Sequence, residues 1–299
     1  MRPMHYIGRF APSPSGPLHF GSLVTALGSY LQAKSCRGKW LVRIEDIDPP
    51  REVKGASSLI LKTLEALNLY WDDTVLYQSS CSERYRTVLK TLIDKQQAYY
   101  CDCTRQRIQN LTNGIYDNFC RERHLSINNK QQVAIRLKQN HPIFQFKDQI
   151  RGLQTVEKAS AQEDFIIHRK DGLFAYNLVV VLDDHEQGIT EIVRGADLLP
   201  VTAKQISLYQ LLGFSVPGYS HLPLVLDKNG NKLSKQNHAS PIDLNNFKAL
   251  TVQALQFLGQ YVPEDWQDAT QKQLLDWAIQ HWQIDNVPKQ NSQLSTDIR

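Results

Sequence analysis

The chain has 299 residues, 41% of them hydrophobic and 21% charged, a balance that suits a folded globular protein and excludes an intrinsically disordered one. Its 34 basic and 30 acidic residues leave a net charge of +4, a mild excess that permits contact with RNA without predicting it. The longest apolar run, Leu178 to Leu182, is far too short to cross a bilayer, and the N-terminus lacks the apolar core of a secretory signal, so a cytoplasmic location without membrane contact is expected.

The first third of the chain alternates strand and helix. His5 to Phe10 reads as a short strand, stopped where Pro12 and Pro14 remove backbone donors. From Phe20 onward, Leu23, Ala26, Leu27, Tyr30 and Leu31 recur at helical spacing. Trp40 to Glu45 reads as a second strand, and Leu59, Ile60, Leu64 and Leu67 mark a second helix. Strand, helix, strand, helix with short connections predicts an α/β fold with a parallel sheet of the Rossmann type.

Over residues 98–160 the character changes to clustered cysteines, an Asn113-Gly114 turn and a polar patch, which predicts an insertion within the fold. The sheet is expected to resume through residues 164–168 and 178–182 as strands, followed by a helix over residues 203–212. Further on, Val252, Leu255 and Leu258 share one helical face, and Leu275, Ala278, Ile279 and Trp282 share another. The tail beyond Pro288 is polar and expected to fray. These readings divide the chain into the first half of the Rossmann unit (1–97), the insertion (98–160), the second half with a lysine loop (161–236) and a C-terminal helical region with its tail (237–299). No long apolar stripe is evident, so a monomer is expected.

Two distant segments carry the chemistry. Residues 9–22, RFAPSPSGPLHFGS, run from a strand through a Pro- and Gly-containing turn into a helix. A helix N-terminus presents unpaired N–H groups and a partial positive charge, which suit phosphate, while Gly16 and Gly21 permit close backbone approach. His19 stands at that terminus, placed either to donate to a phosphate oxygen or simply to cap the helix. Residues 232–236, KLSKQ, follow Gly230 in a polar loop, from which lysines can stabilise charge on a transferring phosphate.

Together the two segments resemble the ATP-handling motifs of class I aminoacyl-tRNA synthetases, and the turn before His19 resembles the glutamyl/glutaminyl branch. Ser22 stands where many class I enzymes carry a second histidine. The resemblance implies that Pro12, Gly16, His19, Gly21, Ser22, Lys232, Ser234 and Lys235 bind ATP, with Mg2+ accompanying it. His19 would steady the α-phosphate and Lys235 the pyrophosphate side of the transition state. The amino acid's carboxylate is already ionised, so catalysis would come from positioning and charge stabilisation rather than a general base.

Glutamate offers two carboxylates and one ammonium, so its pocket should pair fixed cations with a carboxylate. Arg9 closes the first strand and Glu45 the second, on the carboxyl edge where open α/β sheets bind ligands. The segments around Tyr176 and Arg194 resemble those completing the glutamate pocket of this branch. The resemblance therefore assigns Arg9, Phe10, Ala11, Pro12, Ser13, Glu45, Tyr176 and Arg194 to glutamate, Arg9 and Arg194 meeting carboxylates and Glu45 the ammonium. Val180 stands where relatives often carry asparagine, which removes a polar contact.

Cys36 and Cys81 are isolated, whereas Cys101, Cys103 and Cys120 cluster, a pattern of metal rather than disulfides. Three thiolates hold Zn2+ tightly if a fourth ligand closes the tetrahedron. Chemistry alone nominates His124, Asp102 or Asp117 for that place. The resemblance implies Tyr116, giving one structural zinc per chain on Cys101, Cys103, Tyr116 and Cys120.

The stretch after Gln236 is too short for the large anticodon-reading region of full glutamyl-tRNA synthetases. This resembles the shortened members of the branch, which activate L-glutamate with ATP and esterify it to queuosine at the wobble position of tRNA(Asp). A short enzyme charging the 3′ end of tRNA(Glu) and a non-catalytic RNA-binding relative are the competing readings. A nucleotidyltransferase for a small acid suits the Tyr176 and Arg194 segments less well.

Overall fold

The structure is a computed structural model and describes residues 6–125, 132–227, 229–233, 241–290 and 292–294. In chain order the first part comprises β1 (Ile7–Phe10), α1 (Phe20–Ser35), β2 (Lys39–Ile44), α2 (Ala56–Ala66), β3 (Leu76–Tyr77) and α3 (Ser82–Asp94). These elements follow the sequence periodicity, with boundaries shifted by a few residues. Helix α1 is buried on most sides because it lies between the sheet and the C-terminal helices, so Phe20, Leu23, Leu27 and Leu31 all enter one core.

β1, β2 and β3 form a parallel ladder, with Ile7 opposite Lys39 and Phe10 opposite Val42. A second parallel pair joins β9 (Glu191–Gly195) to β10 (Gly218–Leu222). The halves meet where Ile7 N donates to Thr190 Oγ1 at 3.0 Å and Thr190 N to Ile7 O at 2.9 Å. β1 and β9 are thus spatial neighbours separated by most of the chain, and such a switch in strand order leaves a crevice at the carboxyl ends of the strands.

The segment between these halves carries β4 (Ala98–Cys101), α4 (Arg105–Gln109), β5 (Ala134–Leu137), the β6 (Gln145–Asp148) and β7 (Gly152–Thr155) hairpin, α5 (Lys158–Gln162) and β8 (Ile166–His168). β4, β5 and β8 make their own antiparallel sheet. Residues 166–168 therefore do not resume the central sheet as expected: β8 pairs with β5. The expected strand over Leu178 to Leu182 is also corrected, because these residues lie inside α6 (Tyr176–Glu186). A run of five apolar residues fits either a buried strand or a helix buried on several faces. Here the helix packs its apolar side into a second core with Tyr85, Leu208 and Tyr209. Val180 belongs to that core.

Helix α7 (Leu199–Leu211) connects β9 to β10. After β11 (Leu224–Leu226), α8 (Phe247–Phe257) and α9 (Gln271–His281) pack on α1, and Thr270 and Gln273 close a capping box that starts α9. Within the tail, β12 (Ser292–Leu294) pairs in parallel with β11, and residues 291 and 295–299 lie outside the described residues. Among the described residues, no helix is long and apolar enough to cross a membrane.

Candidate active site

A cavity of about 530 Å³ opens at the carboxyl ends of β1 and β9. Its walls come from the β1–α1 turn, the N-terminus of α1, the end of β9 and the β11 region. Of the residues expected to bind ATP or glutamate, Arg9, Phe10, Ala11, Pro12, Ser13, His19, Gly21, Ser22, Tyr176, Arg194 and Lys232 all border it. Gly16 does not, and it instead shapes the turn with φ 137°. Ser234 and Lys235 lie outside the described residues. The chain on either side is tied to the cavity: Leu233 lines it, Ile242 N donates to Leu18 O at 3.0 Å, and Pro241 bridges His19.

His19 meets both sequence readings at once. It is the N-cap of α1, with Nδ1 accepting from Ser22 N at 3.3 Å, and it also borders the cavity. Because Nδ1 is the acceptor, the neutral ring carries its proton on Nε2, the nitrogen able to donate to a ligand. Gly21 makes room for this ring, since a Cβ there would stand 3.1 Å from His19 Cε1. On the opposite side Lys232 Nζ lies 2.6 Å from Asp197 Oδ2. Gly195 accommodates that carboxylate, because a Cβ would fall 2.6 Å from Asp197 Oδ1.

Arg9 is held from beneath by α6. Its Nε and Nη2 donate to Asp184 Oδ1 and Oδ2 at 3.0 and 3.2 Å, a two-point geometry that fixes the guanidinium plane. Arg43 Nη1 reaches the same Asp184 at 2.7 Å, and Arg43 Nη2 lies 3.4 Å from Glu45 Oε1. The neighbouring Asp183 accepts from Tyr85, Gln78 and Arg84. Burial disfavours the charge on Asp184, but Arg43 and Arg9 outweigh it and hold its pKa below the ordinary carboxylate value. Glu45 is pushed up by burial, against the pull of Arg43 and Arg9.

Arg194 sits on β9 and is also buried. Its Nε donates to His221 Nε2 at 3.0 Å and its Nη2 to Thr202 Oγ1 at 2.8 Å. His221 Nδ1 lies 2.6 Å from Asp148 Oδ2, on the β6–β7 hairpin. Arg194 Nη1 is buried without a partner among the described residues, an unusual state for a charged donor and one that suits a ligand carboxylate in the cavity.

Glu45 does not share this cavity. It borders an adjoining one of about 600 Å³, which has Ser13, Ser15, Arg51 and Tyr176 in common with the first. Its backbone N donates to Pro12 O at 3.0 Å, which places it behind the turn, and Arg43 draws on its carboxylate.

In the insertion, the sulfurs of Cys101, Cys103 and Cys120 are buried and lie within 4.8 Å of one another, Cys103 and Cys120 only 3.5 Å apart. Tyr116 Oη is 3.6 Å from Cys101 Sγ and accepts from Cys120 N at 2.7 Å. Asp102 approaches Cys120 at 3.4 Å but is outside the cluster, Asp117 is paired with Arg107, and His124 is exposed. Arg136 donates to Cys101 Sγ at 3.3 Å and stacks 3.6 Å over the Tyr116 ring. Burial pushes the Cys103 thiol up to about 12, whereas at Cys101 the Arg136 and Tyr116 contacts outweigh burial and lower it.

Sequence reasoning missed Asp184, His221, Asp148 and Asp197. Asp184, His221 and Asp197 each touch a residue that was found, Asp148 acts through His221, and none carries a local motif. The adjacent Asp183-Asp184 pair directly after an apolar run was the one available signal.

Comparison with known proteins accords with this geometry. The family described as tRNA synthetases class I (E and Q), catalytic domain, matches residues 7–290. Proteins named glutamyl-Q tRNA(Asp) synthetase are similar: that of Photorhabdus laumondii is 57% identical over 97% of this chain and 90% of its own length. That of Escherichia coli K12 is 55% identical over 97% and 92%. Among solved structures, a glutamate tRNA ligase from Elizabethkingia meningosepticum, in complex with its amino acid, superposes with a TM-score of 0.79 at 26% identity, covering 98% of this chain and 67% of the other. The chain belongs to the class I tRNA synthetase family, in the branch of the glutamate and glutamine enzymes.

Proposed function

We propose that this enzyme activates L-glutamate with ATP and transfers it to the queuosine base at the wobble position of tRNA(Asp). The observation that carries the activation step is the convergence of Arg194, with its unpartnered Nη1, and His19, with its donor nitrogen, on one cavity. Arg9 and Arg194 would hold glutamate's carboxylates, while Tyr176, shared by the two cavities, and Glu45, in the second, would receive its ammonium. The α1 N-terminus and His19 would hold the α-phosphate. Lys232 and Lys235 would face the leaving pyrophosphate, with Mg2+ accompanying ATP.

In activation a glutamate carboxylate oxygen bonds to the α-phosphorus as the bond to the β-phosphate breaks, and pyrophosphate leaves with the electron pair. In transfer a hydroxyl oxygen attacks the acyl carbon, the carbon–oxygen bond to AMP breaks, and the hydroxyl proton passes to a phosphate oxygen or to solvent. The cyclopentenediol as acceptor is supported by the relatives at 55–58% identity, whose names specify glutamyl-Q and tRNA(Asp).

The thiol cluster fits a structural zinc. A Zn–S bond of about 2.3 Å sets tetrahedral sulfurs about 3.8 Å apart, close to the observed spacing. Cys101, Cys103 and Cys120 would be ligands, and Tyr116 Oη, beside Cys101, the fourth. Four protein ligands leave no open position for chemistry, so this centre would brace the insertion of a monomeric, cytoplasmic enzyme.

Glutamate-dependent exchange of pyrophosphate into ATP tests activation. Radiolabelled glutamate offered to tRNA from cells with and without queuosine tests the acceptor: labelling only of the queuosine-bearing pool is expected. Equal labelling of both pools favours charging of a 3′ end, and no exchange favours a non-catalytic relative.

A further inference from the structure

The 600 Å³ cavity beyond Tyr176 is larger than the ammonium end of glutamate requires. It touches the first cavity through Ser13, Ser15, Arg51 and Tyr176, so a group seated in it reaches whatever the first one holds. One part of its wall is apolar: Ile47, Ile166 and Phe174. Phe174 is fixed by edge contacts with Tyr85 and His168, at 5.3 and 5.4 Å between ring centres.

The other part of the wall is polar, with Asp48, Glu52 and Gln78 beside the guanidiniums of Arg51 and Arg169. Gln78 is fully buried; its Nε2 is turned to Asp183 at 2.7 Å, and its Oε1 has no partner among the described residues. Asp48 is taken by Arg51 at 2.5 Å and Arg169 at 3.1 Å, and Asp46 by Ser79. Glu52, however, has no hydrogen-bond or ion-pair partner for its carboxylate among the described residues. Glu52 lies at the exposed rim, where partial burial, then Asp46 and Asp48, push its pKa up. With Asp48 already holding Arg51 and Arg169, Glu52 and Gln78 Oε1 are, among the described residues, acceptors on this wall left to meet an incoming cation.

We propose that this second cavity receives the acceptor nucleobase, with Glu52 and Gln78 Oε1 recognising an ammonium on its side chain and Phe174 backing its flat ring. This rests on the acceptor assigned above. Queuosine has the required chemistry: a planar deazapurine joined through a secondary amine, protonated at neutral pH, to a diol. With the amine at Glu52 and Gln78, the diol points across Tyr176 and Ser13 toward the activated acyl group. A 3′-terminal adenosine offers no ammonium, so the same wall selects against it.

The test is a calorimetric titration of the full, zinc-loaded chain with two bases, cationic 7-aminomethyl-7-deazaguanine and neutral 7-cyano-7-deazaguanine. The cationic base is expected to bind at least tenfold more tightly. Glu52→Gln is expected to cut that preference below threefold and raise the KM for queuosine-bearing tRNA about tenfold, leaving glutamate-dependent pyrophosphate exchange within twofold. Phe174→Ala is expected to weaken both bases alike. Equal binding of the two bases, or a preference that survives Glu52→Gln, overturns the proposal. Equal glutamylation of queuosine-free tRNA would instead overturn the acceptor assignment, and the titration would still decide what the cavity binds.

Discussion

Arg194 Nε stands 3.0 Å from His221 Nε2, and both side chains are buried. A guanidinium only donates, so Nε2 must accept, and the ring's single proton lies on Nδ1, 2.6 Å from Asp148 Oδ2. The ring is thus a neutral link between a cation and an anion. Burial, aided by Arg194 and opposed by Asp148, lowers the His221 pKa to about 4. Thr202 holds a second nitrogen of the same guanidinium, so two anchors leave Nη1 as the group offered to a ligand.

The sign of the pH effect follows. The unfolded chain takes up a proton on this histidine near pH 6.5, whereas the folded one refuses it until about 4. The ring's contribution to stability is complete above 6.5 and drains away as the pH falls toward 4, by on the order of 3 kcal/mol. His168, also lowered by burial, adds to the same window. His221→Gln offers an acceptor to Arg194 and a donor to Asp148 without titrating, so its denaturation midpoint should fall less steeply over that range. Parallel curves for the two proteins would refute the argument.

Asp184 is expected to be the most costly carboxylate to neutralise. Asp184→Asn leaves Arg9 and Arg43 buried without their shared counter-charge, which costs about 3–5 kcal/mol. Because Arg9 borders the cavity, the KM for glutamate should rise as well, with the KM for ATP nearly unchanged. Urea unfolding and initial-rate kinetics measure the two effects. A stability loss below about 1 kcal/mol would mean that the guanidiniums find water instead.

Sequence alone revealed the parts of the site that lie on one stretch of chain. Two prolines that end a strand, helical spacing from Phe20 and thiols one residue apart are local signals with local causes. Contacts made across the chain were invisible. Asp148 and His221 meet over 73 positions and Arg9 and Asp184 over 175. Leu178 to Leu182 misled because apolar continuity marks burial, not conformation; the turn of α6 that delivers Asp183 and Asp184 beneath Arg9 and Arg43 requires a helix there. Glu45 was found as a residue, but its place in a second cavity depends on Arg43, which shares its strand face and was not singled out.

The insertion should contain one zinc per chain by elemental analysis. Cys103→Ser is expected to lose the metal, and hydrogen exchange should then quicken in β4 and β5 while α1 and β1 stay protected, because metal binding and local folding are coupled. Tyr116→Phe separates the candidates for the fourth ligand. It should weaken zinc retention against a chelator by at least tenfold if the phenolic oxygen binds, whereas unchanged retention would point to solvent or another side chain.

Gly21→Ala tests how closely His19 must be held. The added methyl group would stand 3.1 Å from Cε1 and 3.2 Å from Nδ1 of the ring, closer than ordinary van der Waals contact, and the backbone oxygen of Leu233 at 3.7 Å limits retreat on the other side. The helix itself gains from alanine, so stability should hold or rise slightly. The ring must instead turn away from Ser22 N, which displaces a side chain that borders the cavity. A fall of tenfold or more in kcat for pyrophosphate exchange, with an unchanged melting temperature and little change in the KM for glutamate, is the expected result. Wild-type exchange would show that the imidazole caps the helix and does nothing further, since a displacement of that size is enough to break a hydrogen bond made only in the transition state.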